Sequence, residues 1–302
     1  MEGSVEPEHS KDLRPRWSLS MELVRVRTVD RVLLDGSLQR AVAAGSSSKN
    51  TAWLLVHGTG SNFYSAGVLQ VFAEQLVSVG LSVARINTRG HDIISSLSGG
   101  AAFESIADCT HDLRAWVDEL IRRDFSRVVL VGHSMGGVKA IFSQAHDPHP
   151  NVAAVIGVSP PRFCHAEWQS SPQAQLFRDH FARATELVEA DRGDELLLVQ
   201  LPLPLWLTAS GFLAKYGQHD NYDFVPLLPR LNRPTLLIVG TESVAASPAF
   251  ESVPAAVREL QPSMPHLDLR LVFGANTGYS GHLDEPARLA LEWFASVVNG
   301  NV

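Results

Sequence analysis

One serine of the chain stands between glycines, in the stretch LVGHSMGG at residues 130–137. Ser134 follows RVVLV at 127–131, an apolar run typical of a buried strand, and precedes MGGVKAIFSQAH, which can form a helix. A strand that turns sharply into a helix strains the residue between them, and Gly132 and Gly136 would leave room for that turn. The pattern predicts a nucleophilic hydroxyl held out at the edge of a sheet. A serine that caps an ordinary helix is the alternative.

A serine hydroxyl is a weak nucleophile until a base removes its proton. The chain has twelve histidines, and His282 lies in TGYSGHLDEP, after the last predicted strand and before the last predicted helix. That loop falls on the sheet edge where Ser134 would also lie, and no other histidine has this placement. We therefore predict His282 as the catalytic base. A surface histidine that caps the final helix is the alternative.

Backbone N–H groups near the serine could stabilise a developing negative charge. His57 ends a predicted strand in LLVHGTGSNF, where Gly58 permits a sharp turn toward the same edge. We predict that the N–H groups of Thr59 and Met135 form an oxyanion hole. His57 and Gly58 are predicted to contact the substrate.

Short apolar strands alternate with amphipathic helices along most of the chain, which predicts an α/β fold with a mostly parallel central sheet flanked by helices on both faces. The predicted strands are 21–34 with a turn near Asp30, 52–56, 81–86, 127–131, 152–158, 235–239 and 267–272, and the predicted helices are 66–79, 104–123, 135–146 and 284–298.

The alternation lapses between 162 and 230, where helical residues accumulate without a clear strand. We expect an inserted helical cap there, over the carboxyl edge of the sheet, where such folds bind ligands. Residues 21–161 and 231–302 would form the core, 1–20 a leader, and AGSSSKN at 44–50 a turn. In the leucine-rich lid at 196–213, Trp206 and Phe212 are predicted to contact an apolar part of the substrate, with ordinary core packing as the alternative.

The uncharged stretch from Leu196 to Ala214 is nearly long enough to cross a membrane. Pro202 and Pro204 would break a helix near its middle, and polar residues dilute its hydrophobicity. We therefore predict a lid or a buried wall and no membrane span.

The composition is that of an ordinary globular protein, with 45% hydrophobic and 19% charged residues. The net charge of −7 is spread along the chain without a basic run, which argues against nucleic acid as a partner. Two cysteines, without C-x-x-C spacing, are too few for a disulfide framework, and the first residues lack the layout of a signal peptide. The expectation is a cytoplasmic enzyme with a small-molecule substrate, no metal and no cofactor; a homodimer is compatible with the sequence.

Three motifs together resemble the α/β-hydrolase superfamily, in its serine esterase and lipase branch: HGTG after an early strand, GHSMGG at the elbow and a late GH. NTRGHD at 87–92 is also similar to a loop of that family, usually D-x-R-G-H-G. The resemblance covers about 21–298 and implies the order nucleophile, acid, histidine along the chain. Because Ser134 is not an aspartate, the resemblance excludes dehalogenase and epoxide-hydrolase chemistry.

The sequence departs from the family where the acid is expected. The resemblance implies G-x-x-D after the strand TLLIVG, but the chain has Ser243 at the aspartate position. A carboxylate is wanted because it fixes the tautomer of the imidazole and stabilises the imidazolium. Glu242 is the nearest substitute and is predicted as the acid. Other carboxylates remain open as alternatives, as does a serine–histidine dyad; they are Glu251, Asp220 and Asp223.

The resemblance implies a hydrolase in which Ser134 attacks an ester or thioester carbonyl and forms an acyl-enzyme, while His282 transfers the proton. A lyase, cyclase or acyltransferase using the same residues is one alternative. A ligand-binding protein with a decayed triad is another, and the missing aspartate motivates it.

Overall fold

The computed structural model describes residues 21–41, 50–201 and 204–299. The predicted leader at 1–20 and nearly all of the predicted turn at 44–50 lie outside the described residues. Ten strands are present in the part described: β1 Met21–Arg27, β2 Leu33–Gln39, β3 Thr51–Val56, β4 Ser82–Ile86, β5 Arg127–His133, β6 Val152–Val158, β7 Leu196–Val199, β8 Leu205–Thr208, β9 Thr235–Gly240 and β10 Leu267–Val272.

Eight of these strands form one sheet in the order β1-β2-β4-β3-β5-β6-β9-β10. Only β1 and β2 break the parallel arrangement: β1 pairs antiparallel with β2, and β2 antiparallel with β4. The predicted strand at 21–34 is thus a hairpin, whose turn contains Asp30 and places Arg31 at φ 71°. The mostly parallel sheet confirms the predicted fold class.

The central strands are apolar along their whole length because helices cover both faces of the sheet. Alternate residues of β3 enter different clusters: Leu54 packs in the larger core on one face, and Trp53 packs in a second core on the other. Leu130 and Val129 of β5 divide in the same way. A parallel sheet that is buried on both sides has its ligand-binding edge at the carboxyl ends of its strands.

Ten helices are present within the described residues: α1 Val68–Ser78, α2 Cys109–Arg122, α3 Met135–His146, α4 His165–Ser170, α5 Ala174–Glu189, α6 Ala209–Tyr216, α7 Thr241–Ala246, α8 Pro248–Glu251, α9 Val253–Leu260 and α10 Glu285–Asn299. The helix predicted at 104–123 begins later, at Cys109, because a 3-10 turn at Ile106–Asp108 precedes it.

The predicted cap region, residues 162–230, contains α4, α5, α6 and a small antiparallel pair of strands, β7 and β8. No clear strand was predicted here, because the two strands have only four residues each. Within the apolar stretch 196–214, residues 196–199 form β7, residues 205–208 form β8, and the residues from 209 onward belong to α6. No helix in the described ranges has the length and apolar character of a membrane span. The division into core and cap at 162 and 230 stays a prediction.

Candidate active site

Ser134 joins the end of β5 to the start of α3 with φ 53° and ψ −124°, in a region that non-glycine residues rarely adopt. Its N–H donates to the carbonyl of Val158 at 2.8 Å. A Cβ on Gly132 would lie 2.0 Å from the carbonyl oxygen of Gly136, and one on Gly136 would lie 2.3 Å from that of Val56. The glycines are therefore needed for the turn that strains Ser134, at a cost of about 1–3 kcal/mol.

Ser134 lines a pocket of about 660 Å³ between the carboxyl edge of the sheet and the cap region. Gly58 and Thr59, from the loop after β3, line the same pocket, as do Thr277 and Gly278 from the loop after β10. The cap region contributes five residues to the lining of the pocket, and most of them are apolar: Phe163, Gln173, Pro204, Leu205 and Lys215.

The predicted oxyanion groups are close to the serine. A Cβ on Gly58 would lie 3.0 Å from the Cβ of Ser134, so the loop after β3 packs directly against the elbow. Within the described part of the chain, the backbone N–H groups of Thr59 and Met135 donate no hydrogen bond. Both N–H groups are therefore available to a ligand, and Met135 begins α3, where the helix dipole favours negative charge.

His57 does not line the pocket, although we predicted a substrate contact for it. Its ring is buried, and its Nε2 accepts a hydrogen bond from the N–H of Thr88 at 3.1 Å. Its Nδ1 must therefore carry the proton and donate to the carbonyl of Gly58 at 2.8 Å. Burial, helped by the charge of Lys139, lowers the pKa of His57 to about 3. The neutral ring holds the loops after β3 and β4 together and is not available to substrate.

Thr277 is the residue of the β10–α10 loop that reaches the elbow. Its carbonyl accepts a hydrogen bond from Nε2 of His133, the residue before Ser134, at 2.8 Å. Its side-chain Oγ1 lies 2.9 Å from the hydroxyl of Ser243, which is buried. In a serine–histidine–acid triad the middle residue contacts the acid on one side and the serine on the other. Thr277 thus contacts Ser243, at the position where the acid is expected, on one side and the residue next to Ser134 on the other.

Tyr279 fixes the path of this loop. Its side chain is fully buried, and its hydroxyl donates to the carbonyl of Ile238 at 3.1 Å and lies 2.9 Å from the hydroxyl of Ser159. Tyr279 itself has φ 55°. These hydrogen bonds of the Tyr279 side chain, below the carboxyl ends of β6 and β9, hold Thr277 at the elbow. The chain then turns back toward β10.

His282 lies on the returning part of that loop and does not line the pocket. Its Nε2 is 3.6 Å from the position that a Cβ on Gly274 would take, two residues beyond the end of β10. No hydrogen bond joins the hydroxyl of Ser134 to the imidazole ring of His282. The structure does not bring these two residues together, and the role of His282 as base stays a prediction that needs another path of the loop.

The structure does not bring the predicted acid to the site either. The side chain of Glu242 is exposed and makes no hydrogen bond within the described residues; only its backbone N–H donates, to the carbonyl of Ala275. Glu251 is also exposed. Asp220 accepts the N–H of His165, and Asp223 is paired with Arg162. In the ranges that the structure describes, no three His, Cys, Asp or Glu side chains cluster as a metal site requires.

The two aromatic residues predicted to contact substrate lie elsewhere in the cap. Trp206 is 43% exposed on β8, and Phe212 is fully buried against Tyr216, with ring centroids 4.9 Å apart. Neither lines the pocket. For Phe212 the alternative of ordinary core packing is therefore correct, and the apolar wall of the pocket comes from residues such as Phe163 and Phe250.

The NTRGHD loop braces the rim of the pocket. Arg89 donates to both oxygens of buried Asp112 through its backbone N–H and its guanidinium, at 2.8 Å and 3.0 Å, and also pairs with Asp30. Asp92 accepts a hydrogen bond at 2.9 Å from Asn62, which lines the pocket. The loop therefore ties α2 and the β1–β2 turn to the pocket rim.

Sequence reasoning missed three residues of the site, Thr277, Lys215 and Phe163. The GANTG stretch after β10 held a signal for Thr277, because it begins two residues after the strand, where a loop can first reach back along the sheet edge. Lys215 was detectable as a lone charge in FLAKYG, within an otherwise apolar segment. Phe163 carried no pattern of its own.

The sequence profile of the alpha/beta hydrolase family matches residues 53–293. Among solved structures, the chain is similar to an esterase of Pyrococcus furiosus, with 17% identity, a TM-score of 0.57 and coverage of 93% of this chain and 89% of the esterase. It is also similar to a dienelactone hydrolase of Anabaena variabilis, with 21% identity, a TM-score of 0.57 and coverage of 91% and 97%.

A third similar structure is the alpha/beta hydrolase GrgF of a Penicillium species, with 15% identity, a TM-score of 0.66 and coverage of 91% and 98%. No curated protein matches the chain. At these identities the solved structures support the fold. The family profile covers most of the chain, including the elbow and the loop after β10. The chain therefore belongs to the α/β-hydrolase family.

Proposed function

We propose that the pocket binds a small, partly apolar ester or thioester and that Ser134 accepts its acyl group slowly, because no acid–base pair activates the hydroxyl. One observation supports this proposal: the hydroxyls of Ser243 and Thr277, on the loops after β9 and β10, lie 2.9 Å apart. We infer that these two residues take the places of acid and base. A hydroxyl can donate and accept hydrogen bonds, but it does not take up a proton near pH 7. Fast proton removal from Ser134 is therefore missing in this arrangement.

The binding half of the proposal is supported by the groups around Ser134. The N–H groups of Thr59 and Met135 have no acceptor among the residues that the structure describes and could hold a carbonyl oxygen as it becomes negative. Attack by the Ser134 oxygen forms a bond to the carbonyl carbon, and the bond to the leaving alcohol or thiol then breaks. The serine proton reaches the leaving group through water. Binding and an oxyanion hole alone supply about 10³–10⁴-fold catalysis over water.

A second candidate is full ester hydrolysis with His282 as the base. Three observations favour it: Ser134 keeps the strained backbone of a nucleophile, the ring of His282 makes no hydrogen bond within the described residues, and glycines with positive φ bracket the loop. Gly274 has φ 72° and Gly281 has φ 79°. A rearrangement between these glycines could carry His282 toward the pocket, but it would have to release the anchor at Tyr279.

The two candidates are separated by kinetics with p-nitrophenyl butyrate and by labelling with a fluorophosphonate. Ser134→Ala should abolish both signals under either proposal. Under the first, His282→Ala leaves the slow turnover within about threefold of the unchanged protein. Under the second, it lowers kcat by about 100-fold or more. If the unchanged protein is not labelled by the fluorophosphonate and binds no ester, both candidates are contradicted.

A further inference from the structure

A buried lysine lines the pocket without a protein counter-ion. Lys215, in α6, is 6% exposed, and its Nζ makes no salt bridge or hydrogen bond within the described residues. An ammonium removed from water is destabilised by several kcal/mol unless an anion or hydrogen-bond acceptors replace the water. The amine therefore lacks the partner that a buried charge ordinarily has.

Aromatic rings surround this amine but do not replace a counter-ion. The Nζ of Lys215 lies 4.7 Å from the ring centroid of Phe163 and 5.9 Å from those of Tyr216 and Tyr222. Cation–π contacts contribute about 0.5–2 kcal/mol, less than the cost of removing the ammonium from water. The rings hold the amine at the wall of the pocket. The carboxylate of Glu104 also attracts the amine, but it forms its salt bridge with Lys139.

A second buried lysine, Lys139, does have hydrogen-bond partners in the protein. Lys139 is 1% exposed, and its Nζ lies 2.7 Å from a carboxylate oxygen of Glu104 and 2.9 Å from the hydroxyl of Thr88. Lys139 does not line the pocket. The lysine that is hidden from ligands is fully paired, whereas the lysine that ligands can reach is not.

The charged side chains that line the pocket are positive, like Lys215. Its lining contains two cationic side chains, Lys215 and Arg85, and no aspartate or glutamate, although the chain has a net charge of −7. The guanidinium of Arg85 donates to the carbonyl of Ser65, a neutral acceptor. A cationic, otherwise mostly apolar cavity in an acidic protein favours an anionic ligand over a neutral or cationic one.

From these contacts we propose that the pocket binds a small molecule with an apolar body and one carboxylate, and that Lys215 supplies the countercharge for that carboxylate. The inference rests on the proposed function only for the place of the ligand, since it concerns binding and not acyl transfer. The substrate class would then be an ester or thioester that also bears a free carboxylate.

The test is calorimetric binding of 3-phenylpropionate and of its neutral amide, 3-phenylpropionamide, at pH 7. The unchanged protein should bind the acid at least tenfold more tightly than the amide. Lys215→Met should remove that preference, and Lys215→Arg should keep most of it. Arg178→Gln, which removes one positive charge from the exposed face of α5, is the matched control and should change neither affinity.

Equal affinity for acid and amide in the unchanged protein, or an undiminished preference in folded Lys215→Met, would overturn the inference. Thermal unfolding of each variant shows whether it is folded. Ser134→Ala should still bind the acid, because the carboxylate contact does not use the hydroxyl. If the unchanged protein binds the acid but takes no acyl group from esters, the proposed function alone is contradicted.

Discussion

The hydroxyl oxygens of Ser243 and Thr277 lie 2.9 Å apart, on the two loops that follow β9 and β10. Ser243 holds the position after β9 at which the family resemblance implies the acid, and Thr277 lies on the loop after β10 that also carries His282. Neither hydroxyl takes up a proton near pH 7, so this pair does not move protons as a carboxylate and an imidazole do. The strained turn at Ser134 and the loop after β3 that packs against it are both present.

Restoring the two side chains should create a faster esterase. Thr277→His combined with Ser243→Asp should raise kcat/KM for p-nitrophenyl butyrate by about 100-fold or more, because a carboxylate would orient an imidazole beside Ser134. Thr277 lines the pocket, so the larger imidazole has space. Each single substitution should give much less, and adding Ser134→Ala should abolish the gain. No gain from the double substitution in a folded protein would show that these positions are not those of a triad.

The elbow should tolerate no side chain at its glycines. Gly136→Ala should lower the free energy of unfolding by about 3 kcal/mol, because the new Cβ would lie 2.3 Å from the carbonyl oxygen of Val56 and 2.6 Å from that of His57. Gly278→Ala is the matched control, since its nearest neighbour would be 3.6 Å away. Urea denaturation monitored by tryptophan fluorescence measures both; equal stability of the two variants would contradict the predicted clash.

The stability of the protein should depend on pH through Lys215. Burial lowers the pKa of Lys215 to about 8 from its ordinary value of 10.5, an effect that Lys139 adds to and Glu104 opposes. Between these two pH values the unfolded chain binds a proton that the folded chain does not, so the free energy of unfolding rises with pH in this window. Below pH 8 both states are protonated, and the folded state bears the full cost of the buried charge, on the order of 3 kcal/mol.

Lys215→Met should remove this cost. The variant should be more stable than the unchanged protein at pH 7, by up to about 3 kcal/mol, and the difference should shrink as the pH approaches 10. Tyr216 and Tyr222 pack near the amine, but burial raises the pKa of each, so they stay neutral in the folded protein across this range. Denaturation curves of the pair at pH 7, 8, 9 and 9.5 give the difference; one that does not vary with pH would contradict the prediction.

The NTRGHD loop should depend on one buried carboxylate. Asp112→Ala should lower the free energy of unfolding by about 3–5 kcal/mol, because it leaves the guanidinium of Arg89 without its buried partner. Asp30 also contacts Arg89 but is partly exposed, so Asp30→Ala should cost about 1 kcal/mol or less. The midpoints of chemical denaturation of the two variants test this order, and the reverse order would show that the exposed pair is the stronger one.

Much of this protein was readable from the sequence alone. The apolar strands, the helices between them and the glycines around Ser134 are local patterns, and each corresponds to an element that the structure contains. The replacement of the expected aspartate by Ser243 was also visible, because that position directly follows a strong strand signal. Such features depend on neighbours a few residues away, and the chain order preserves them.

The tertiary structure alone decided which residue of the last loop reaches the turn that holds Ser134. Sequence position placed His282 and Thr277 equally well on the same edge, only five residues apart. The loop is bent by the buried hydrogen bonds of Tyr279 and by three residues with positive φ. As a result, Thr277 lines the pocket and His282 lies back toward β10. In the same way, the unpaired charge of Lys215 exists only where α6 packs over Phe163 at the pocket wall. These outcomes rest on contacts between distant parts of the chain, for which no local pattern exists.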